Sequence, residues 1–340
     1  MGIARRFSAG YGPICAALLL LALATPMART AGEKVRFAPH YAAGQTFYYR
    51  IQTRSTTTGK TTTPIDNPEG GTKTSQDINL LVRLEVIGVL QGPPGAAQVR
   101  FRETFERASA QSDSDAFDPG APSPADEYKH AEGNSIEFTL QPDGQLAEPN
   151  GPGNVFPNLS PTDPQLAWAG ALATGGRLPR EGVSVGQKWN SERQIAGVPL
   201  SGVVWRMEST YSRNDACKPG GADENGKGPG AARTPAAGAN DCALILTRFE
   251  ILRHGSNRPD STPEEFRRNG LRTSGTWSGS GESLETISLA TGYLESSTQT
   301  STQNLDYEIV SAAKGTRIHR VGKVESQTEI RQVSVRPSVQ

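Results

Sequence analysis

The residues of this chain with the clearest chemical potential are a serine between glycines, Gly182-Val183-Ser184-Val185-Gly186, and a pair of cysteines, Cys217 and Cys242. The first matches the Gly-x-Ser-x-Gly spacing of a nucleophile elbow, which needs a buried strand before the serine and a helix after it. Here Leu178-Pro179-Arg180-Glu181 comes before and a strand-like Gly-Gln-Lys-Trp comes after, so Ser184 reads as a turn residue. No catalytic residue is assigned. A secreted hydrolase stays open as an alternative, because paired carboxylates need only meet in space.

The cysteines flank 24 residues that hold six glycines, six alanines and three prolines, with no periodicity. Such a composition predicts a loop without regular structure. Val203, Trp205, Met207 and Tyr211 alternate before it, and Ala243, Ile245, Phe249 and Ile251 alternate after it. The cysteines therefore stand where two antiparallel strands leave and re-enter a loop, which favours a structural disulfide. Closing that loop is worth about 3.5 kcal/mol on the chain-entropy model. A redox or nucleophilic role would need a Cys-x-x-Cys spacing or a close basic partner, and the sequence offers neither.

Metal and cofactor chemistry find little support. His40, His130, His254 and His319 lack the spacing that preorganises a metal. The acidic group Asp113, Asp115, Asp118, Asp126 and Glu127 lacks the glycine turn and terminal glutamate of a calcium loop. Gly275, Gly279 and Gly281 surround Trp277 without the helix and basic residue of a phosphate cradle, and they predict a bulged or close-packed strand instead. No metal site and no cofactor are expected.

The elements that position these residues are mostly strands. Tyr41 to Thr53 is one, and Ile78, Leu80, Val82, Leu84 and Val86 alternate in a second. A third carries Val99, Phe101 and Phe105 beyond the break at Gly92-Pro93-Pro94-Gly95. Ser55 to Gln76 reads as a long loop or hairpin tip, and Ala108 to Gly133 as a loose acidic stretch. Ile136, Phe138 and Leu140 lead to a hairpin turn at Asp143-Gly144. Two short helices are signalled. One starts at Thr162 or Asp163 with Pro164 and stops at Gly175-Gly176, and the other runs from Thr262-Pro263 to Gly270. The last segment carries Lys314, Arg317, Arg320, Lys323, Arg331 and Arg336, and reads as a charged edge strand.

Two segments open alike, Gly44-Gln45-Thr46-Phe47 and Gly186-Gln187-Lys188-Trp189. Each is followed by a glycine turn, at Gly144 and Gly292, 100 and 106 residues on. The expectation is a mainly β chain, a curved antiparallel sheet or sheets in two related halves with one or two short connecting helices. The halves span 33–160 and 183–312, joined by a helical linker at 161–182 and followed by a basic C-terminal strand or tail at 313–340. Phe47 and Trp189 should then occupy equivalent places in the core.

Residues 1–28 read as a signal peptide, with Arg5 and Arg6 ahead of an apolar run through Leu18-Leu19-Leu20-Leu21 and cleavage within 28–32. Export to the periplasm or beyond follows, with no transmembrane span after its removal. The whole chain carries 35 basic and 35 acidic residues, which gives no electrostatic footprint for nucleic acid.

The signal peptide, the Gly-Gln-x-aromatic strand starts, the Leu178-Pro179 to Trp189 segment and the glycine-turn hairpins resemble uncharacterised exported bacterial β-rich proteins. These are similar in pattern to the half-barrels of periplasmic lipoprotein carriers. The resemblance implies a curved sheet whose concave face holds an acyl chain or the apolar segment of another protein. On this reading the chain is a non-enzymatic envelope protein. Its lipid, apolar ligand or protein partner would meet Phe47, Tyr49, Val82, Leu84, Phe101, Trp205 and Met207, which could equally be ordinary core. The remaining alternative is a structural or surface-assembly module.

Overall fold

The computed structural model describes residues 34–37, 40–62, 71–90, 98–115, 124–141, 146–150, 155, 178–179, 181–195, 198–217, 241–255, 261–311, 313 and 315–334. The proposed signal peptide, the helix expected near Pro164 and the Asp143-Gly144 turn lie outside them. The described residues fall in one compact unit, within Lys34–Gln340.

Among the described residues, eleven antiparallel strands form one sheet. In chain order they are β1 Thr46–Thr62, β2 Thr72–Leu90, β3 Gln98–Ser114, β4 Ser135–Leu140, β5 Leu146–Asn150, β6 Lys188–Gln194, β7 Val203–Ala216, β8 Asp241–Arg253, β9 Leu271–Ser288, β10 Leu294–Ser311 and β11 Arg317–Gln332. Among the described residues, α1 Pro124–Ala131 lies between β3 and β4, and α2 Glu264–Arg268 between β8 and β9. The order across the sheet is β5-β4-β3-β2-β1-β11-β10-β9-β8-β7-β6. A mainly β, curved antiparallel sheet with short helices is thus the architecture.

Three expectations need correction. The Thr- and Gly-rich tract after Thr53 is not a loop throughout, since β1 continues to Thr62 and β2 starts at Thr72, with Thr58 paired to Lys73. Threonine favours the pleated conformation even where no apolar alternation marks it. The stretch read as loose from Ala108 onward contains the end of β3 and all of α1, whose first turn holds Asp126 and Glu127 and whose last holds Lys129 and His130. Those charges complement the helix dipole. Finally, β11 is no edge strand. It pairs with β1 on one side and β10 on the other; Arg317, Lys323, Glu325, Glu329 and Arg331 lie on the face opposite Ile330, while Arg320 shares the Ile330 side.

The two Gly-Gln segments are built alike. Gly44 and Gly186 both take φ of 85°. The Gly44 N–H donates to the Val86 carbonyl at 2.8 Å, and the Gly186 N–H to that of Tyr211 at 2.6 Å. The N–H groups of Val86 and Tyr211 return to the carbonyls of Gln45 and Gln187. Each glutamine side chain accepts the N–H three residues upstream, from Ala42 at 2.9 Å and Ser184 at 3.1 Å. A register shift follows each acceptor, between Val86 and Gly88 and between Tyr211 and Arg213.

The two faces of the sheet differ. On one, Arg54 pairs with Asp77, Arg83 with Glu106, Arg100 and Arg102 with Glu137, and Arg206 with Glu250. On the other, Ile51, Val82, Val86, Phe105, Tyr211, Ile245, Ile287 and Ile330 are buried in or beside one apolar cluster. Alternation with a period of two turns every second residue to this inner face. Among the described residues, α1 contributes Tyr128 and Ala131 to the inner-face cluster and the segment before β1 contributes Phe37.

Candidate functional site

The sequence candidates share the inner face. Phe47 pairs with Leu84 and Tyr49 with Val82 across β1 and β2, and Phe101 of β3 stands opposite Val86 and Phe138. Phe47, Tyr49, Val82, Leu84 and Phe101 belong to one cluster and are all buried. Tyr41 from the preceding segment locks them together. Its ring meets Phe101 edge-on at 5.0 Å and stacks on Tyr293 at 5.3 Å, while Phe47 meets Tyr293 edge-on at 4.7 Å. The Tyr293 hydroxyl donates to the His40 carbonyl at 2.7 Å. Burial pushes the Tyr41 and Tyr49 hydroxyls well above their usual range, so both stay protonated.

The other two candidates lie elsewhere on the same face. Trp205 packs against a smaller cluster of Val198, Leu200, Val203 and Ile251, along with Trp277 and Tyr307. Met207 is buried opposite Phe249, whose ring meets that of Trp205 edge-on at 4.7 Å. The seven residues thus form two groups, one at the β1–β3 side and one at the β7–β8 side. Trp189, expected to match Phe47, is half-buried and packs against the larger cluster.

One residue that the sequence reading passed over belongs to the larger group. Glu103 pairs with Leu84 on β2 and with Ile136 on β4, is 0% exposed, and has neither carboxyl oxygen hydrogen-bonded. Burial raises its pKa well above the carboxylate range. A signal was present. Val99, Phe101, Glu103 and Phe105 occupy alternate positions of one strand, so an acid there faces the same way as the aromatic rings.

Ser184 sits in the turn before β6, and no helix follows it. Val183 bridges to Val35, which anchors that turn under the segment leading to β1. Cys217 and Cys242 are joined by a disulfide with Cα atoms 5.0 Å apart. The glycines of β9 are close-packed, with the ring of Phe249 lying against Gly281. Among the described residues no group of three or more His, Cys, Asp or Glu is placed to hold a metal ion. None of their helices is long and apolar enough to cross a membrane. Two hollows, of about 660 and 730 Å³, lie toward the far ends of β1, β2, β10 and β11. Charged residues line both, with Lys73, Asp115 and Lys323 in the first and Arg54, Asp77 and Glu325 in the second.

The described residues define an antiparallel β-sheet with one apolar and one charged face. No family model matches the chain, and no curated protein matches it. Among solved structures it is similar to lipovitellin, in a structure described as showing lipid-protein interactions, with a TM-score of 0.45 and 12% identity. That match covers 88% of this chain and 26% of the other, so the chain spans about a quarter of lipovitellin's length. The transport unit of the autotransporter AIDA-I from Escherichia coli gives a TM-score of 0.28 at 7% identity, over 85% of this chain and 90% of that one. No site residue is carried over from either.

Proposed function

We propose that the chain is an exported, non-catalytic binding protein that takes an apolar ligand, or the apolar segment of another protein, on the inner face of its sheet. The contacts would be Phe47, Tyr49, Val82, Leu84 and Phe101, with Trp205 and Met207 further across. The observation that carries this reading is that Phe47, Tyr49, Val82, Leu84 and Phe101, from three adjacent strands, share one apolar face, with the rings of Tyr41 and Tyr293 set against them. Export is supported by the disulfide, since such bonds persist in oxidising compartments, and residues 1–28 are its proposed signal.

Two copies of one five-strand unit account for the architecture on this reading. What supports it is the matched hydrogen bonding around Gly44 and Gly186, and the matched order of three strands, a short helix, a strand and a returning strand.

Native mass spectrometry of protein purified from the envelope of its own host tests the function. The expected result is a bound lipid-sized mass, lost on delipidation. Protein that carries no such mass and crosslinks to no partner would overturn it. A structural or surface-assembly role is the second reading, favoured because the sheet ends at β5 and β6, each paired on one side. It predicts concentration-dependent oligomers instead of a bound mass.

A further inference from the structure

Among the described residues Glu103 is the buried side chain whose polar atoms have no hydrogen-bond partner. The charged groups on the neighbouring strands do not serve it. Arg83 and Glu85 on β2, Arg102 on β3 and Glu137 on β4 all occupy the opposite face, where Arg83 pairs with Glu85 and Arg102 with Glu137. The side chains directly beside Glu103 in the ladder are Leu84 and Ile136, and the next residues facing inward on its own strand are Phe101 and Phe105. A carboxyl sealed from water with nothing to bond to weakens a fold, and leucine at this place would not. An acid in that position is explained if something absent from the isolated chain bonds to it.

We propose that Glu103 receives the polar end of an amphiphilic ligand whose chain lies along Phe47, Val82 and Leu84, and that this end is an uncharged group able both to donate and to accept a hydrogen bond, such as a hydroxyl. The inference rests on the function proposed above and adds the chemistry of the ligand's head. A carboxyl in apolar surroundings stays protonated and presents one O–H and one C=O. A hydroxyl satisfies both at once. An ammonium head would force a buried ion pair with no further groups to solvate it, which is at best a break-even exchange. Binding requires the packing over Glu103 to open, because Glu103 is wholly enclosed; α1 packs on β3 and contributes Tyr128 and Ala131 to the same cluster.

The test uses the full mature chain loaded with the neutral fluorescent probe N-phenyl-1-naphthylamine and displaced by 1-decanol, decyl methyl ether or decylamine. The alcohol should displace the probe at roughly fivefold lower concentration than the ether, the scale of one extra hydrogen bond. Glu103→Leu should bind both equally, and Glu103→Gln should retain the preference because an amide also donates and accepts. Both variants keep the side-chain volume and should fold, which circular dichroism would verify. Equal displacement by alcohol and ether in the wild type, or a preference that survives in Glu103→Leu, would overturn the inference and leave the apolar site standing. Strongest displacement by decylamine would also overturn it. A chain that binds neither the probe nor any decyl compound would overturn the parent reading, and the inference with it.

Discussion

The ring of Phe249 on β8 rests against Gly281 on β9, so closely that a Cβ at position 281 would meet Phe249 Cζ at 2.3 Å and the Thr300 carbonyl oxygen at 2.2 Å. The glycine is therefore a packing requirement of the inner face. Gly281→Ala should destabilise the chain by about 1–3 kcal/mol through overpacking. Trimming the ring with Phe249→Leu should restore only part of the loss, because the carbonyl cannot retreat. Urea unfolding of the two single variants and the double variant measures this, and full restoration would show that the ring alone sets the constraint.

Gly44 and Gly186 are a different case. No atom lies within 4 Å of a Cβ built at either, so only the left-handed backbone opposes substitution. Alanine at either place should cost about 1–2 kcal/mol. The two costs should agree within error if the turns are equivalent parts of one repeated unit. Costs that differ severalfold would count against equivalence.

The pH dependence of stability should carry the mark of Glu103. Its folded pKa is raised above the ordinary value of 4.5, so above that pH the folded chain keeps a proton that the unfolded chain releases. The stability this contributes is present in acid and is lost as pH rises toward the folded pKa, with a limiting slope of about 1.4 kcal/mol per pH unit. Glu295, half-buried and shifted the same way by burial, adds to the trend. Melting temperatures of wild type and Glu103→Leu, compared from pH 5 to 8, should diverge with the variant increasingly the more stable. Parallel curves would mean that Glu103 is not protonated in the fold.

Cys217→Ser should lower stability by about 3.5 kcal/mol on the chain-entropy model for a loop of this length, and reductant should lower the wild type by a similar amount. Unfolding with and without dithiothreitol gives the comparison. An unchanged midpoint would show that the reduced loop remains as constrained as the bonded one.

How much of this was legible in the sequence depends on what each side chain signals. The strands around Ile78 to Val86 and Val203 to Tyr211 announce themselves, because large apolar residues fall on alternate positions. The disulfide was equally plain from two cysteines beside converging strands. The far halves of β1 and β2 were hidden, since Thr56, Thr58 and Lys73 face solvent on one side and the small Ser55, Thr57 and Gly59 leave no apolar stripe on the other. The place of β11 could not be read locally, because strand order is decided by partners hundreds of residues away. Glu103 was missed for a simpler reason. An acid in an apolar run looks like an interruption until the strand's parity is followed through it.

Because Tyr49 of the first strand pairs with Gln332 of the last, the sheet has a seam that only the end of the chain can sew. Until β11 emerges during synthesis, β1 and β10 each present a long unsatisfied edge, and such edges recruit strangers as readily as the proper partner. Closing a contact of that span is also slow, since almost the whole chain must be threaded into a loop first. Assembly of the sheet is thus set by β11: a nascent chain stalled before Arg317 is a pair of sticky half-sheets.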